Sequence, residues 1–187
     1  MRHLTTEEIE AGLDEIKRSP KNDGTLELIV RRPEVGAREI LEEADLDIGI
    51  GLVGDSWPKR KSSRTADGAP HPDMQLNVMN ARTIALLAQA KERWQLAGDQ
   101  LFIDIDMSDA NLPAGTRLAL GSAVIEVTDQ PHTGCAKFVE RFGADAMRFV
   151  NSPTGRDLRL RGLNARVVKG GRIHAGDIVR KLARGEA

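Results

Sequence analysis

The chain has 187 residues, two-fifths of them hydrophobic, enough for one ordinary core, which excludes an intrinsically disordered protein. Aromatic residues make up 3% and tyrosine is absent, so the rings on which nucleic-acid bases stack are lacking. Net charge is −1 but unevenly spread: residues 1–50 hold 7 Lys/Arg against 13 Asp/Glu, residues 51–130 hold 8 against 10, and residues 131–187 hold 12 against 5, so the last third is either an anion-binding wall or the complement of the acidic first third.

In chain order, residues 5–18 read as a helix, with Thr5 and Glu8 spaced as a capping box and Ile9, Leu13 and Ile16 at helical intervals. Ser19-Pro20 ends it and Asn22-Asp23-Gly24 turns the chain into a strand over Leu26–Arg31, stopped by Pro33. Residues 37–46 read as a short helix or irregular segment. Gly49 to Gly54 match G-x-G-x-x-G, but the following Asp55–Ser63 contains a proline and no apolar period. The helix that would face a pyrophosphate is missing, so a dinucleotide site is rejected. Lys59–Pro72 reads as a long exposed basic loop, either a substrate lid or an inert solvated segment.

Met74–Val78 reads as a strand, and Asn80 caps a helix running to about Trp94 and stopped near Gly98. Leu101–Met107 alternates, with Leu101, Ile103, Ile105 and Met107 inward and Phe102, Asp104 and Asp106 on a wet face. That pattern accounts for Asp104 and Asp106 without a metal, the glycine and distal glutamate of a calcium loop are absent around Asp104, Asp106 and Asp109, and the four histidines show no metal-ligand spacing. Arg117–Leu120 and Val124–Thr128 form strands around a Gly121-Ser122 hairpin turn. A helix follows over Gly134–Phe142, and Asn164–Val168 and Arg172–Val179 form strands joined by a Gly170-Gly171 turn. Many short strands with few helices favour a mainly β barrel or sandwich.

Pro131-His132-Thr133-Gly134-Cys135-Ala136-Lys137 is the strongest chemical candidate. Cys135 falls near a helix start, and Lys137, Arg141 and His132 add positive potential; such surroundings enrich the thiolate, the form that attacks sulfur or binds metal. A rival reading stands beside it: Cys135, Phe138, Val139 and Phe142 follow i, i+3, i+4, i+7, so the cysteine could be a small core residue.

Gly51-Leu52-Val53-Gly54-Asp55, the run Leu118–Thr128, Thr133-Gly134-Cys135, the run Arg161–Ile173 and Gly176-Asp177-Ile178-Val179 stand in the order seen in MOSC domains. Over about residues 45–182 the chain resembles that family, named for the C-terminal domain of molybdenum cofactor sulfurases. The resemblance implies a closed, mainly β barrel with a few helices over 45–182, residues 1–44 as an extension packed on it, and 183–187 as a tail. It also implies that Cys135 carries persulfide sulfur or ligates the molybdenum of the pterin cofactor, and that Arg161 lines the same cavity. Lys137, Arg141, Arg166 and His132 are added as cofactor-binding residues from charge and proximity. No pyridoxal-phosphate motif is present, so a cysteine desulfurase or another sulfur donor is the expected partner. Two alternatives stay open: a non-catalytic cofactor storage and delivery module serving a molybdoenzyme, and a molybdenum-dependent reductase of small N-hydroxylated compounds. The absence of a second cysteine, a signal core or a membrane-length apolar run points to the cytoplasm, with no membrane partner.

Overall fold

The capping box is formed: Thr5 Oγ1 accepts from the Glu8 N–H, and the Glu8 carboxylate accepts from the Thr5 N–H. The helix it starts is broken at Gly12 into α1 (Thr6–Ala11) and α2 (Leu13–Lys17). A Cβ at Gly12 would lie 2.5 Å from Leu86 Cδ2, so the break packs closely on a neighbouring helix and a side chain there would make Leu86 shift. The computed structural model describes residues 2–183.

Seven strands close a barrel: β1 (Asp23–Arg31), β5 (Leu76–Asn80), β6 (Leu101–Asp104), β7 (Arg117–Leu120), β8 (Ala123–Val127), β9 (Leu163–Lys169) and β11 (Ile178–Lys181). They run in the order β11-β7-β8-β9-β5-β6-β1, and β1 returns to β11. All neighbours are antiparallel except β5 and β6. An odd ring of strands cannot alternate direction all the way round, so one parallel pair is obligatory. Its crossover is α3 (Ala81–Ala88) followed by a 3-10 segment over Lys91–Ala97. β2 (Glu39–Leu41) adds to the end of β1, while β3 (Glu43–Asp47), β4 (Gly51–Leu52) and β10 (Gly171–His174) make a small second sheet. Three short helices, α4 (Ala136–Phe142), α5 (Ala144–Val150) and α6 (Pro153–Asp157), fill the connection from β8 to β9.

Two cores result. Leu26, Ile29, Leu76, Val78, Ile103 and Ile125 fill the barrel. Ile9, Met79, Ile84, Phe102, Phe138 and Phe142 fill the layer between barrel wall and helices. Phe102 is therefore fully buried rather than on a wet face, because the helical layer covers the outside of β6.

Four further sequence expectations are corrected. Residues 37–46 form β2 and β3, since pairing with β1 and β10 overrides helix-forming composition. The helix from Asn80 ends at Ala88, where Gln89 turns left-handed at φ 61°. Gly170-Gly171 joins no hairpin: β9 pairs with β8 and β5, while β10 crosses to β3. Residues 1–44 are not an extension laid on a finished barrel, because β1 closes it between β6 and β11. The expected tail, 183–187, lies almost wholly outside the described residues.

Candidate functional site

The sequence Arg161-Gly162-Leu163-Asn164 enters β9 beneath the helical layer. Gly162 adopts φ 101°, and a Cβ there would lie 2.2 Å from Val78 O and 3.2 Å from His132 Nδ1, so only glycine lets the chain pass between β5 and His132. Arg161 is thereby buried. Its Nη1 donates to both Asp99 carboxylate oxygens at 3.1 and 2.8 Å, its Nη2 donates to Ala97 O at 3.1 Å, and its guanidinium carbon lies 5.0 Å from the Phe138 ring centroid. His132 Nδ1 lies 3.5 Å from Asp99 Oδ1. Burial, reinforced by the Arg161 and Arg32 charges, holds the His132 imidazole well below its ordinary value and so neutral. Burial raises the Asp99 carboxyl, against the downward pull of Arg161 and Arg32.

A second buried pair stands beside this hub. Asp55 accepts from Arg32 N, Nε and Nη2 at 2.9–3.0 Å and from Trp57 N at 2.9 Å. Arg32 Nη1 also donates to Asn77 Oδ1 and Gly98 O. More arginines converge on the same stretch: Arg141 from α4 donates to Leu96 O, and Arg93 donates to Arg141 O. Arg38 lies within the fields of Arg141 and Arg32, and Arg60 within those of Arg32 and Arg38. Burial followed by Arg141 and Arg32 depresses Arg38 below its ordinary value, with Asp55 and Asp99 opposing. The buried Nε atoms of Arg38 and Arg93 have no partner among the described residues. Positive charge outweighs negative here.

A cavity of about 380 Å³ opens on the other side of the hub, lined by Thr128–Thr133, Val150, Asn151, Gly155, Arg156, Arg159 and Arg161–Leu163. Cys135 follows two residues after this lining. It is exposed, adopts extended φ −129° and ψ 174° as the N-cap of α4, and makes no cap hydrogen bond. The core reading of Cys135 therefore fails: the apolar stripe begins at Phe138 and Phe142, one turn further on.

Of the residues singled out by sequence, His132 and Arg161 meet at the cavity, Cys135 stands beside its lining, and Arg141 reaches the arginine cluster at the far end of α4. Lys137 is exposed in the first turn of α4. Arg166 is elsewhere, on the outer face of β9, held by Asp73 at 3.2 Å and Glu126 at 2.7 Å. Sequence reading missed Arg32, Asp55, Arg38, Arg60 and Asp99. Asp55 alone carried a signal, as the end of the Gly51–Asp55 run. The Gly49–Gly54 pattern leads into a 3-10 turn over Trp57–Lys59, not a helix, consistent with its rejection. No group of His, Cys, Asp and Glu among the described residues is arranged to hold a metal ion.

Fold and site together define a closed mixed β-barrel whose helical layer presents one exposed cysteine and an arginine-rich cleft. Residues 68–180 match the MOSC domain, more than half of the chain, and the protein belongs to the MOSC domain family, which is associated with molybdenum cofactor-related proteins. No curated protein sequence matches it significantly. Among solved structures, the YUAD protein from Bacillus subtilis is similar with TM-score 0.59 at 15% identity, over 87% of this chain and 97% of that one. YiiM from Escherichia coli gives 0.54 at 21% identity, over 87% and 72%. YiiM from Geobacillus stearothermophilus gives 0.57 at 13% identity, over 87% and 76%. These likenesses are of fold. Among the described residues, no helix is long and apolar enough to cross a membrane.

Proposed function

We propose that this protein binds the molybdenum cofactor across the face of α4 and that Cys135 carries sulfur as a persulfide or ligates the metal. The observation that supports it is the placement of α4, with the exposed Cys135 at its N-cap and Arg141 in its last turn. They stand six positions apart, about 9 Å along a helix axis. At the Arg141 end, Arg38 and Arg60 add charge, and the Nε of Arg38 and Arg93 are donors without an acceptor among the described residues.

This donor set fits a phosphate-bearing group, since planar guanidinium groups pair their N–H bonds with phosphate oxygens. Arg38, Arg60 and Arg141 would hold the phosphate, and a thiolate at Cys135 is the soft ligand that suits the metal. When bound, the cofactor supplies redox-active molybdenum. Arg161 acts differently from a direct phosphate ligand: Asp99 takes up its Nη1, so it positions the floor on which Phe138 and hence α4 rest.

Sulfur loading needs a donor persulfide, as a cysteine desulfurase would provide. The Cys135 thiolate attacks the terminal sulfur of the donor, a new S–S bond forms on Cys135, and the donor S–S bond breaks to leave the donor thiolate, with no net oxidation. Intact-mass measurement after incubation with a cysteine desulfurase and cysteine tests this. The expected result is a gain of one sulfur, about 32 Da, removed by cyanide and absent from Cys135→Ser. No gain in the wild type would contradict sulfur carriage and leave binding without chemistry at Cys135 as the reading of the site.

A further inference from the structure

With the cofactor's phosphate assigned to the Arg38–Arg60–Arg141 cluster, the cavity next to Cys135 remains without an occupant. Its volume of about 380 Å³ equals roughly a dozen liquid waters. Three guanidinium groups line it. Arg156 has no ion pair among the described residues, Arg159 is shared with the exposed Asp109 and Leu112 O, and Arg161 is neutralised by Asp99. The one carboxylate of the lining, Asp129, is exposed and accepts from Gln130 Nε2 at 2.9 Å. Two buried polar atoms of the lining residues, Arg161 Nε and His132 Nδ1, have no hydrogen-bond partner among the described residues. Arg161 Nε can only donate, so it calls for an acceptor. Arg159 also holds left-handed backbone at φ 47°, a strained conformation for a side-chain-bearing residue and one that concentrates at ligand sites. The apolar lining is Pro131, Val150 and Leu163, and the ring of the lining is the His132 imidazole.

We infer that this cavity is the site of a small carboxylate. A carboxylate offers paired acceptor oxygens to guanidinium N–H groups, and its charge balances the surplus that Arg156 leaves. A cationic ligand would instead meet the uncompensated charge of Arg156. Naming the occupant a substrate rests on the reading of Cys135 given above; its binding does not, and is measured without cofactor or turnover.

The test is an NMR amide-shift titration of the full chain with hexanoate, hexanamide and benzamidine, in wild type, Arg156→Gln and Arg166→Gln. Arg166 lies on the outer face of β9 and serves as the charge-matched control. Hexanoate should shift the amides of Asn151 and Gly162, bind at least tenfold more tightly than hexanamide, weaken at least fivefold in Arg156→Gln and stay unchanged in Arg166→Gln. Equal affinity for hexanamide, tighter binding of benzamidine, or indifference to Arg156→Gln would overturn the proposal. Pterin content after expression in a cofactor-competent host separates the two readings. If Arg156→Gln strips the pterin, the cavity belongs to the cofactor and the carboxylate proposal falls. If wild type binds hexanoate but holds no pterin, the carboxylate site stands and the cofactor reading falls.

Discussion

His132 sits where burial and three charges meet, and its titration follows from that position. The folded imidazole is held far below its ordinary value by burial and then by Arg161 and Arg32, while the unfolded chain restores an ordinary histidine near pH 6.5. Below about pH 6.5 the unfolded chain therefore binds a proton that the folded chain refuses. The stability this group preserves is complete above that value and is lost progressively as pH falls. Urea midpoints at about pH 7.5 and 5.5 should show a drop for wild type that is smaller in His132→Asn. An equal drop in both would show that His132 is protonated in the native state. Cys135 illustrates what sequence does and does not disclose at this scale. Its identity as the chemical candidate was legible, but helical spacing alone could not place it inside or outside the core. The deciding fact is that α4 starts at Ala136, leaving Cys135 extended at the cap. Arg161 was legible as a motif residue, whereas its dependence on Asp99, 62 positions away, was not.

Individual elements are tied to the site by the Arg32–Asp55 pair. It joins the chain just after β1 to the turn just after β4, with both side chains essentially inaccessible to solvent. Removing one partner of a buried pair leaves an uncompensated charge, so Asp55→Ala should cost about 3–5 kcal/mol in equilibrium urea unfolding. A loss below about 1 kcal/mol, the scale of an exposed pair, would mean that water reaches Arg32 in the native state. Strand alternation and turn chemistry made β1, β7, β8 and the Gly121-Ser122 hairpin readable in advance. β2 and β3 were not readable: Ala37–Asp47 is rich in helix-forming Glu, Leu and Ala, and only pairing with β1 and β10, fixed by distant sequence, makes it extended. α5 and α6 escaped because each is short and begins at a break, Gly143 or Ser152, whose meaning depends on the helical layer they complete.

Across the whole molecule, the uneven charge serves two ends. Arg166, Arg172 and Arg180 meet carboxylates of the first two-thirds of the chain, Asp73 and Glu126, Glu43 and Asp45, and Asp23. That share of the basic C-terminal third is structural complement. Arg141, Lys137 and Arg156 have no ion pair among the described residues, and they lie on α4 and along the cavity. On the proposed reading they make up the anion-facing share, joined from the N-terminal half by Arg38 and Arg60. The number and spacing of short strands pointed to a barrel or a sandwich, and the closed barrel was implied only by the resemblance to MOSC domains. The integration of β1 was not, because barrel closure pairs the start of the chain with its end and no local pattern records that.

The proposed reading is that the arginine-rich face of α4 holds the molybdenum cofactor. Its most direct test is the molybdenum and released-pterin content of protein purified from a cofactor-competent host, for wild type and for Arg38→Ala combined with Arg141→Ala. The expected result is molybdenum and pterin approaching equimolarity with the wild-type chain and loss of both in the double variant while it remains folded. Wild-type protein carrying neither, or a double variant that keeps both, would contradict it.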